Sequence, residues 1–402
     1  MLKIGVFGAW RGNSYIDLFS RDSDIEIAAI CDRNPDALLE NKELFESAAL
    51  CAEFDEFIAE GKKRGMTAVF LANYFNQHAP YAIKAMEAGL DVVSECTAAA
   101  TLAECVSLVE CAEKTGRKYI LAENYPFSAE NLLMEQIVSS GTLGTLLYAE
   151  GEYNHSGGND ELKRLTPGKY HWRAWMPRTY YVTHALGPIM YMTKSMPLYV
   201  SARAAHSSLL YELREWRHNY DGAGIMFCEM DNGMIARFTG CTAMASDYSR
   251  YRVAGDIASA EWGGYIKSGK VRRFYFEHTC PEGEKRDTLL DADLSRFGED
   301  GKKAKKSGHG GGDYWIVKEI KDCFLGGKEV FFDVYRAAAM SATAILGWRS
   351  CLNHGENYKI PDFRNKEERD KVRNDNLTPF PDENGEGITL PCALPVENEK
   401  ER

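Results

Sequence analysis

The sequence predicts an α/β N-terminal domain on a doubly wound parallel sheet, followed by an α+β domain with a large, mostly antiparallel open sheet. Three observations predict it. Residues 2 to 124 alternate short β-rich runs with amphipathic helical stretches, the pattern that produces βαβ units. The first strand runs straight into a turn carrying Gly8 and Gly12. Beyond Asn124 the segments lengthen, and Asp231-Asn232-Gly233, a hairpin signal, separates two β-rich runs.

Taken in order, LKIGVF, IEIAAIC, TAVFLA, DVVSE and RKYILA read as successive strands. Between the last two, Thr101 and Glu104 form a capping box, Leu102, Val106 and Val109 repeat on one helical face, and Gly116 supplies the stop. A helix is expected from about Ser128 to Ser139, opening the second domain. GIMFCEM and MIARFTG flank the hairpin, where Asn and Gly both tolerate positive φ. From about Glu282 to Gly312 charged residues and glycines predict long loops before a helix near Asp313. The expected division is residues 1–124 as a cofactor-binding domain, 125–361 as a substrate and oligomerisation domain, and 362–402 as an irregular tail that wraps the surface or frays.

Composition excludes several classes. A chain of 402 residues with 45% hydrophobic and 27% charged residues is an ordinary globular protein of about two domains. A formal net charge of −11 argues against a nucleic-acid partner, which requires clustered Lys and Arg; the only basic run, Lys302 to Lys306, is short. MLKIGVFG lacks the features of a signal peptide, and no run of about 20 apolar residues follows, so the cytoplasm is expected and a membrane is not. Eleven scattered cysteines without a CxxC pair argue against a disulfide framework or zinc knuckle. His155, His171 and His184 have neither the spacing nor a nearby carboxylate of a tight metal set, so no metal is expected.

The turn Gly8-Ala9-Trp10-Arg11-Gly12-Asn13 stands where a dinucleotide fold presents backbone N–H groups to pyrophosphate. Trp10 and Asn13 occupy the second and third glycine positions of GxGxxG, so Gly12 is expected to supply the flexibility one place early. Asp32 ends the second strand roughly twenty residues downstream, where a carboxylate accepts hydrogen bonds from ribose hydroxyls and repels a 2′-phosphate, favouring NAD over NADP. Arg33 beside it pulls the other way, since a guanidinium pairs with that phosphate or stacks on adenine. Asn73, His78, Glu95 and Asn124 end the next strands, the edge at which open α/β sheets bind ligands; as single residues, Asn73 and His78 read equally well as loop caps.

The run SECTAAATLAECVSLVECAEKTGRKYILAENYPFS, the THALGP segment, and GHGGGDY followed by DVYRAAAMSA and IPDF together resemble the Gfo/Idh/MocA oxidoreductases over nearly the whole chain. The resemblance implies a Rossmann domain first. Many members carry Glu-Lys-Pro after the fifth strand; here Glu95-Cys96-Thr97 stands instead, placing Glu95 and Cys96 against the cofactor without the usual lysine. That departure resembles the branch containing the NAD-dependent α-N-acetylgalactosaminidases, with its Tyr-x-Thr-His-x-Leu-Gly-Pro segment (Tyr181 to Pro188) and His-Gly-Gly-x-Asp-Tyr loop (His309 to Tyr314).

In that branch the functional tyrosine and histidine fall on Tyr153 and His184. His184 suits removal of a carbinol proton, because its ordinary pKa is about 6.5. Tyr153 is the second base of a scheme in which the sugar is oxidised at C3 and the group at C1 eliminated, so that NAD is unchanged over the cycle. The plainer reading of a sheet tyrosine is packing. Arg173, Tyr181, His309 and Asn124 are the implied substrate contacts, with His309 in a mobile loop. The aromatic group Tyr170, Trp172, Trp175, Tyr180 and Tyr181 reads either as a sugar-stacking surface or as core. The expected substrate is a sugar or glycoside, and the expected assembly a homodimer or homotetramer closing an apolar sheet face. The alternatives are a simple NAD(P)-dependent sugar or polyol dehydrogenase and a non-catalytic NAD-binding protein.

Overall fold

A computed structural model describes residues 1–39, 47–155, 166, 171–212, 215, 217–241, 247–382 and 392–393. The chain divides into two compact units, one of residues 1–124, 297–338 and 362–376, the other of 125–296, 339–361 and 377–402.

The first unit holds a six-stranded, all-parallel sheet: β1 (Leu2–Phe7), β2 (Ile25–Cys31), β3 (Ala49–Cys51), β4 (Ala68–Leu71), β5 (Asp91–Ser94) and β6 (Tyr119–Leu121). Its spatial order is β3-β2-β1-β4-β5-β6, so the winding reverses between β1 and β4. Ile4, Val6, Ile30, Phe70, Val93 and Ile120 are fully buried, as expected of strands covered on both faces. The crossovers are α1 (Ala9–Ser20), α2 (Pro35–Leu39), α3 (Phe54–Lys63), α4 (His78–Glu87) and α5 (Leu102–Thr115). The α5 capping box forms between Thr101 and Glu104, and Gly116 closes the helix at φ 64°.

Two later segments complete this unit, whereas the sequence reading assigned them to the second domain and the tail. Helix Gly312–Phe324 packs on α1, with Lys321 bonded to Asp22 at 2.8 Å. Phe331–Asp333 runs beside β6, where the Leu121 N–H donates to the Phe332 carbonyl at 3.0 Å. Helix Lys366–Val372 lies on α5 through the Arg373–Glu110 ion pair at 2.6 Å, so this part of the tail wraps and is pinned. Residues 383–391 and 394–402 lie outside the described residues.

The second unit is built on nine strands: β7 (Leu146–Asn154), β8 (Pro197–His206), β9 (Asp221–Met230), β10 (Ile235–Cys241), β11 (Tyr248–Gly255), β12 (Ala258–Trp262), β13 (Lys270–Tyr275), β14 (Asp287–Asp291) and β15 (Tyr358–Lys359). Their order is β14-β13-β12-β11-β7-β10-β9-β8-β15, with β7 and β10 parallel and the other neighbours antiparallel. The β9–β10 hairpin forms where Asp231-Asn232-Gly233 predicts it, with positive φ at Gly233 (84°) and not at Asn232. The loop-rich stretch from 282 to 312 contains β14 and a helix, Gly298–Ala304.

One sheet face is covered by α6 (Ala129–Ser139), capped by Ser128, by α7 (Thr183–Thr193), and by residues 339–352 of helix Val334–Leu352, whose Gly347 lies against Met226. α7 sits so close that a Cβ on Gly151 would stand 2.1 Å from the Ala185 carbonyl oxygen. The opposite face differs from the apolar surface expected. Arg237 pairs with both Glu150 and Glu152, Arg250 with Glu261 at 3.6 Å, and Tyr248 donates to Glu152 at 3.0 Å, while Phe227 and Ile235 are half exposed among them. Alternation puts these residues on one face, and cross-strand charge pairing occupies it.

Candidate active site

In the first unit Gly8 ends β1 at the point where the winding reverses. Its φ is 96°, and a Cβ there would lie 2.4 Å from the Ala72 carbonyl oxygen at the end of β4. Only glycine fits between these strand ends. The helix follows at once from Ala9, so Gly12 lies inside α1 rather than in a flexible loop. A Cβ on Gly12 would stand 2.8 Å from Val6 Cγ1, and its absence lets α1 close on β1. This corrects the sequence expectation: Gly12 serves helix–strand packing, the work of the last glycine in the fingerprint, and Gly8 alone makes the turn.

The N–H groups of the first turn of α1 have no carbonyl four residues earlier in the helix, and the helix dipole favours an anion there. Asp32 stands at the end of β2, accepting from the Trp10 N–H at 3.1 Å and the Asn34 N–H at 2.8 Å. Ala9 is buried, whereas Trp10, Arg11 and Asn13 are exposed along the turn. Arg33 is exposed and paired with Glu53 at 3.3 Å. The cradle that a Cβ would fill, the open helix end and the carboxylate at the second strand together fit a dinucleotide.

His78 is buried, its Nδ1 2.7 Å from the Thr97 carbonyl and its Nε2 3.2 Å from the Asn73 carbonyl. Burial pulls this imidazole down to about 4, against the backbone hydrogen bonds that raise it. A neutral ring has one proton to donate, so one of the two carbonyls receives it. His78 thus braces the loops after β4 and β5. Asn73 reaches the Tyr74 carbonyl at 3.5 Å, Arg11 pairs with Glu95 at 2.8 Å, and the Cys96 thiol donates to Glu123 at 3.0 Å.

His309 lies in a three-residue turn, His309–Gly311, at φ 52°, before helix Gly312–Phe324. Its Nδ1 donates to Asp313 at 2.9 Å. Asp313 also accepts from Asn124 Nδ2 at 2.8 Å and from the Tyr15 hydroxyl at 3.2 Å. The bond to Asp313 raises the His309 imidazole above its ordinary range, despite burial. Burial works to raise the Asp313 carboxyl, but His309, Asn124 and Arg11 outweigh it and hold the group low. The Asp313 carboxylate thus holds the His309 ring and takes two further donors.

In the second unit four rings meet. His184, in the first turn of α7, stacks on Tyr125 with centroids 4.4 Å apart, meets Tyr153 edge-on at 4.9 Å and Tyr181 at 5.4 Å. Tyr153 comes from β7 and is 5.0 Å from Tyr125 and 5.6 Å from Tyr181. The Tyr251 hydroxyl donates to the His184 carbonyl and fixes the start of α7. Burial, then the neighbouring Tyr181 and Tyr125, push the Tyr153 phenol far up, while Arg173 pulls it down. Arg173 lies over Trp172 at 4.4 Å and Tyr181 at 5.7 Å. Of the remaining aromatic group, Trp175 stacks on His218 at 3.7 Å, Tyr180 is fully buried against Phe380, and Tyr170 lies outside the described residues. Trp175 and Tyr180 are therefore core. Among the described residues no three His, Cys, Asp or Glu side chains gather as a metal site, and no helix is long and apolar enough to cross a membrane.

Comparison with known proteins adds a family. Residues 2–123 match the model described as oxidoreductase family, NAD-binding Rossmann fold, and residues 282–368 match that of the glycosyl hydrolase 109 C-terminal domain. Residues 2–123 belong to the Gfo/Idh/MocA oxidoreductases. The chain is 27% identical to a glycosyl hydrolase family 109 protein 1 of Shewanella sp. (strain ANA-3), over 90% of this chain and 85% of that one. It is 26% identical, over the same shares, to an alpha-N-acetylgalactosaminidase of Shewanella oneidensis. An oxidoreductase from Agrobacterium radiobacter, solved with NAD+, L-tartaric acid and magnesium, shares the fold at a TM-score of 0.71 and 14% identity, covering 89% of this chain and 98% of that one. The chain is an NAD-dependent enzyme.

Two residues of this NAD-dependent enzyme do not stand out in the sequence as candidates, Tyr125 and Asp313. Each had a signal: Tyr125 directly follows Asn124, and Asp313 stands four residues after His309, the spacing of one helical turn.

Proposed function

We propose that the chain acts on a sugar glycoside, oxidising it transiently at C3 and eliminating the group at C1. Bound NAD supplies the hydride acceptor and returns the hydride at the end of the cycle. The first turn of α1, Gly8 and Asp32 would hold its pyrophosphate and ribose. His184 removes the proton of the C3 hydroxyl. The resulting ketone acidifies the C2 proton, Tyr153 takes it, the C1–O bond breaks, and water replaces the departing group.

Arg173 opposes the rise of the Tyr153 phenol, and burial outweighs it. The observation that carries the reading is the convergence of His184, Tyr153 and Tyr181 on one another with Arg173 beside them. An oxidation followed by an elimination requires two proton-transfer groups. The glycosidase name of the Shewanella oneidensis relative agrees with a glycoside as substrate.

A panel of 4-nitrophenyl glycosides tests it, with absorbance at 340 nm followed in parallel. Nitrophenol release without net NADH is expected, and His184→Ala should lower kcat by about 10²–10⁴-fold. Net NADH formation from a free sugar, with no nitrophenol released from any glycoside, would show a simple dehydrogenase instead.

A further inference from the structure

Arg217 is 1% exposed, yet its Nε and Nη2 atoms are buried with no hydrogen-bond partner. These two nitrogens form the side-on edge of the guanidinium, whose parallel N–H bonds match the two oxygens of a carboxylate. The edge is held in place. The His218 and Asn219 N–H groups both donate to the Ala174 carbonyl, at 2.8 and 3.1 Å, and His218 stacks on Trp175. This clamps the segment of Arg217 onto the segment of Arg173 and Arg178.

Of the acids flanking it in sequence, Glu215 is exposed and Asp221 is committed elsewhere. Asp221 accepts from the Ala393 N–H at 3.0 Å and from Asn219 Nδ2 at 3.2 Å, and the charge acting on it is that of Arg178. Arg178 in turn spends its Nε on the Asp221 carbonyl at 2.7 Å. Burial, then the like charges of Arg178 and Arg173, pull the Arg217 guanidinium down to about 9, against an opposing contribution from Tyr220. A buried cation among cations, with a bidentate edge unused, is a strongly unfavourable arrangement unless an anion completes it.

We propose that the side-on edge of Arg217 receives the carboxylate of the substrate, and that the sugar acted on is a uronic acid or its glycoside. The assignment rests on the glycoside reading above for the word sugar. The link is the clamp on Ala174, which holds the segment of Arg217 against that of Arg173, whose guanidinium lies over Tyr181 beside His184. A carboxylate on Arg217 therefore belongs to the same unit and the same neighbourhood as the proton-transfer groups.

The test uses the full chain loaded with NAD. Turnover of 4-nitrophenyl glucuronides and galacturonides is compared with that of the glucosides and galactosides, in both anomers. Binding of D-glucuronate and D-galacturonate is compared by calorimetry with that of D-glucose, D-galactose and D-galactose 6-phosphate. The uronides should be favoured at least tenfold in kcat/KM, and the ratio should fall towards one in Arg217→Gln, mainly through KM. Arg217→Lys, which keeps the charge and loses the fork, should fall between. If no glycoside turns over but the uronates still bind selectively, this inference stands and the glycosidase reading fails. If neutral glycosides turn over and uronates bind no better than neutral sugars, the reverse holds, and Arg217 is left to a protein carboxylate. Preference for the 6-phosphate would overturn the carboxylate. The wild-type comparisons decide the matter even if Arg217→Gln fails to fold.

Discussion

Three side chains donate to the Asp313 carboxylate: His309, Asn124 and Tyr15. The sign of each shift sets a pH window for the pair. His309 is raised in the folded chain, so its contribution is complete below the ordinary histidine value of about 6.5 and is lost as pH rises through the higher folded value. Asp313 is lowered, so its contribution is present above the ordinary carboxylate value of about 3.9 and is lost as pH falls through the folded value. The pair therefore stabilises most between those two ordinary values. Asp313→Asn should bring the His309 pKa, followed by NMR, down towards about 6.5 and cost about 1–3 kcal/mol near pH 5.5. The difference in Tm between the two proteins should shrink as the pH is raised past the folded value of His309. An unchanged His309 titration in Asp313→Asn would remove the pair from the account.

At the scale of elements, α1 and β1 show what sequence spacing reveals and what it hides. The strand–turn–helix order around Gly8, the carboxylate at Asp32 and the α5 capping box follow from local chemistry, so they were legible in the sequence. The part played by Gly12 was not, because it depends on Val6 lying across the strand. Nor was β3, whose three residues are too few for a periodic signal. Magnitudes decide what Gly12→Ala does. Helix propensity favours alanine by about 1 kcal/mol, while forcing a methyl against buried Val6 costs about 1–3 kcal/mol. The net is a fold kept or weakened by up to about 2 kcal/mol, with α1 displaced from β1 and NAD binding weakened. Gly8→Ala has no such relief, since its Cβ meets backbone and its φ is 96°. It should abolish NAD binding. Fluorescence titration with NAD, alongside thermal melts, checks both; tight binding by Gly8→Ala would exclude this turn as the cofactor cradle.

At the scale of the whole molecule, chain order and compact unit diverge. Sequence patterns mark the turnover near Asn124 because composition changes there, but they carry no sign that residues 297–338 and 362–376 return to the first unit. The reason is physical: those segments contribute helices whose apolar faces fit a doubly wound sheet and a sheet-covering role equally well. Arg178 and Arg217 escaped notice for a similar reason, since the clamp on Ala174 joins residues about forty apart in a stretch with no periodic pattern. The return of these segments makes a fragment of residues 1–124 incomplete, despite holding every strand of its sheet. It loses Ile316, Ile320 and Phe332, all fully buried, together with the Asp313 partner of Tyr15. At about 1.5–3 kcal/mol for each large apolar side chain, the loss approaches the ~5–15 kcal/mol stability of an ordinary domain. The fragment should therefore show far-UV CD of helix and strand with little near-UV signal, bind a hydrophobic dye, and fail to bind NAD. A fragment that melts cooperatively and binds NAD like the full chain would show that the later segments are ornaments on a self-sufficient domain.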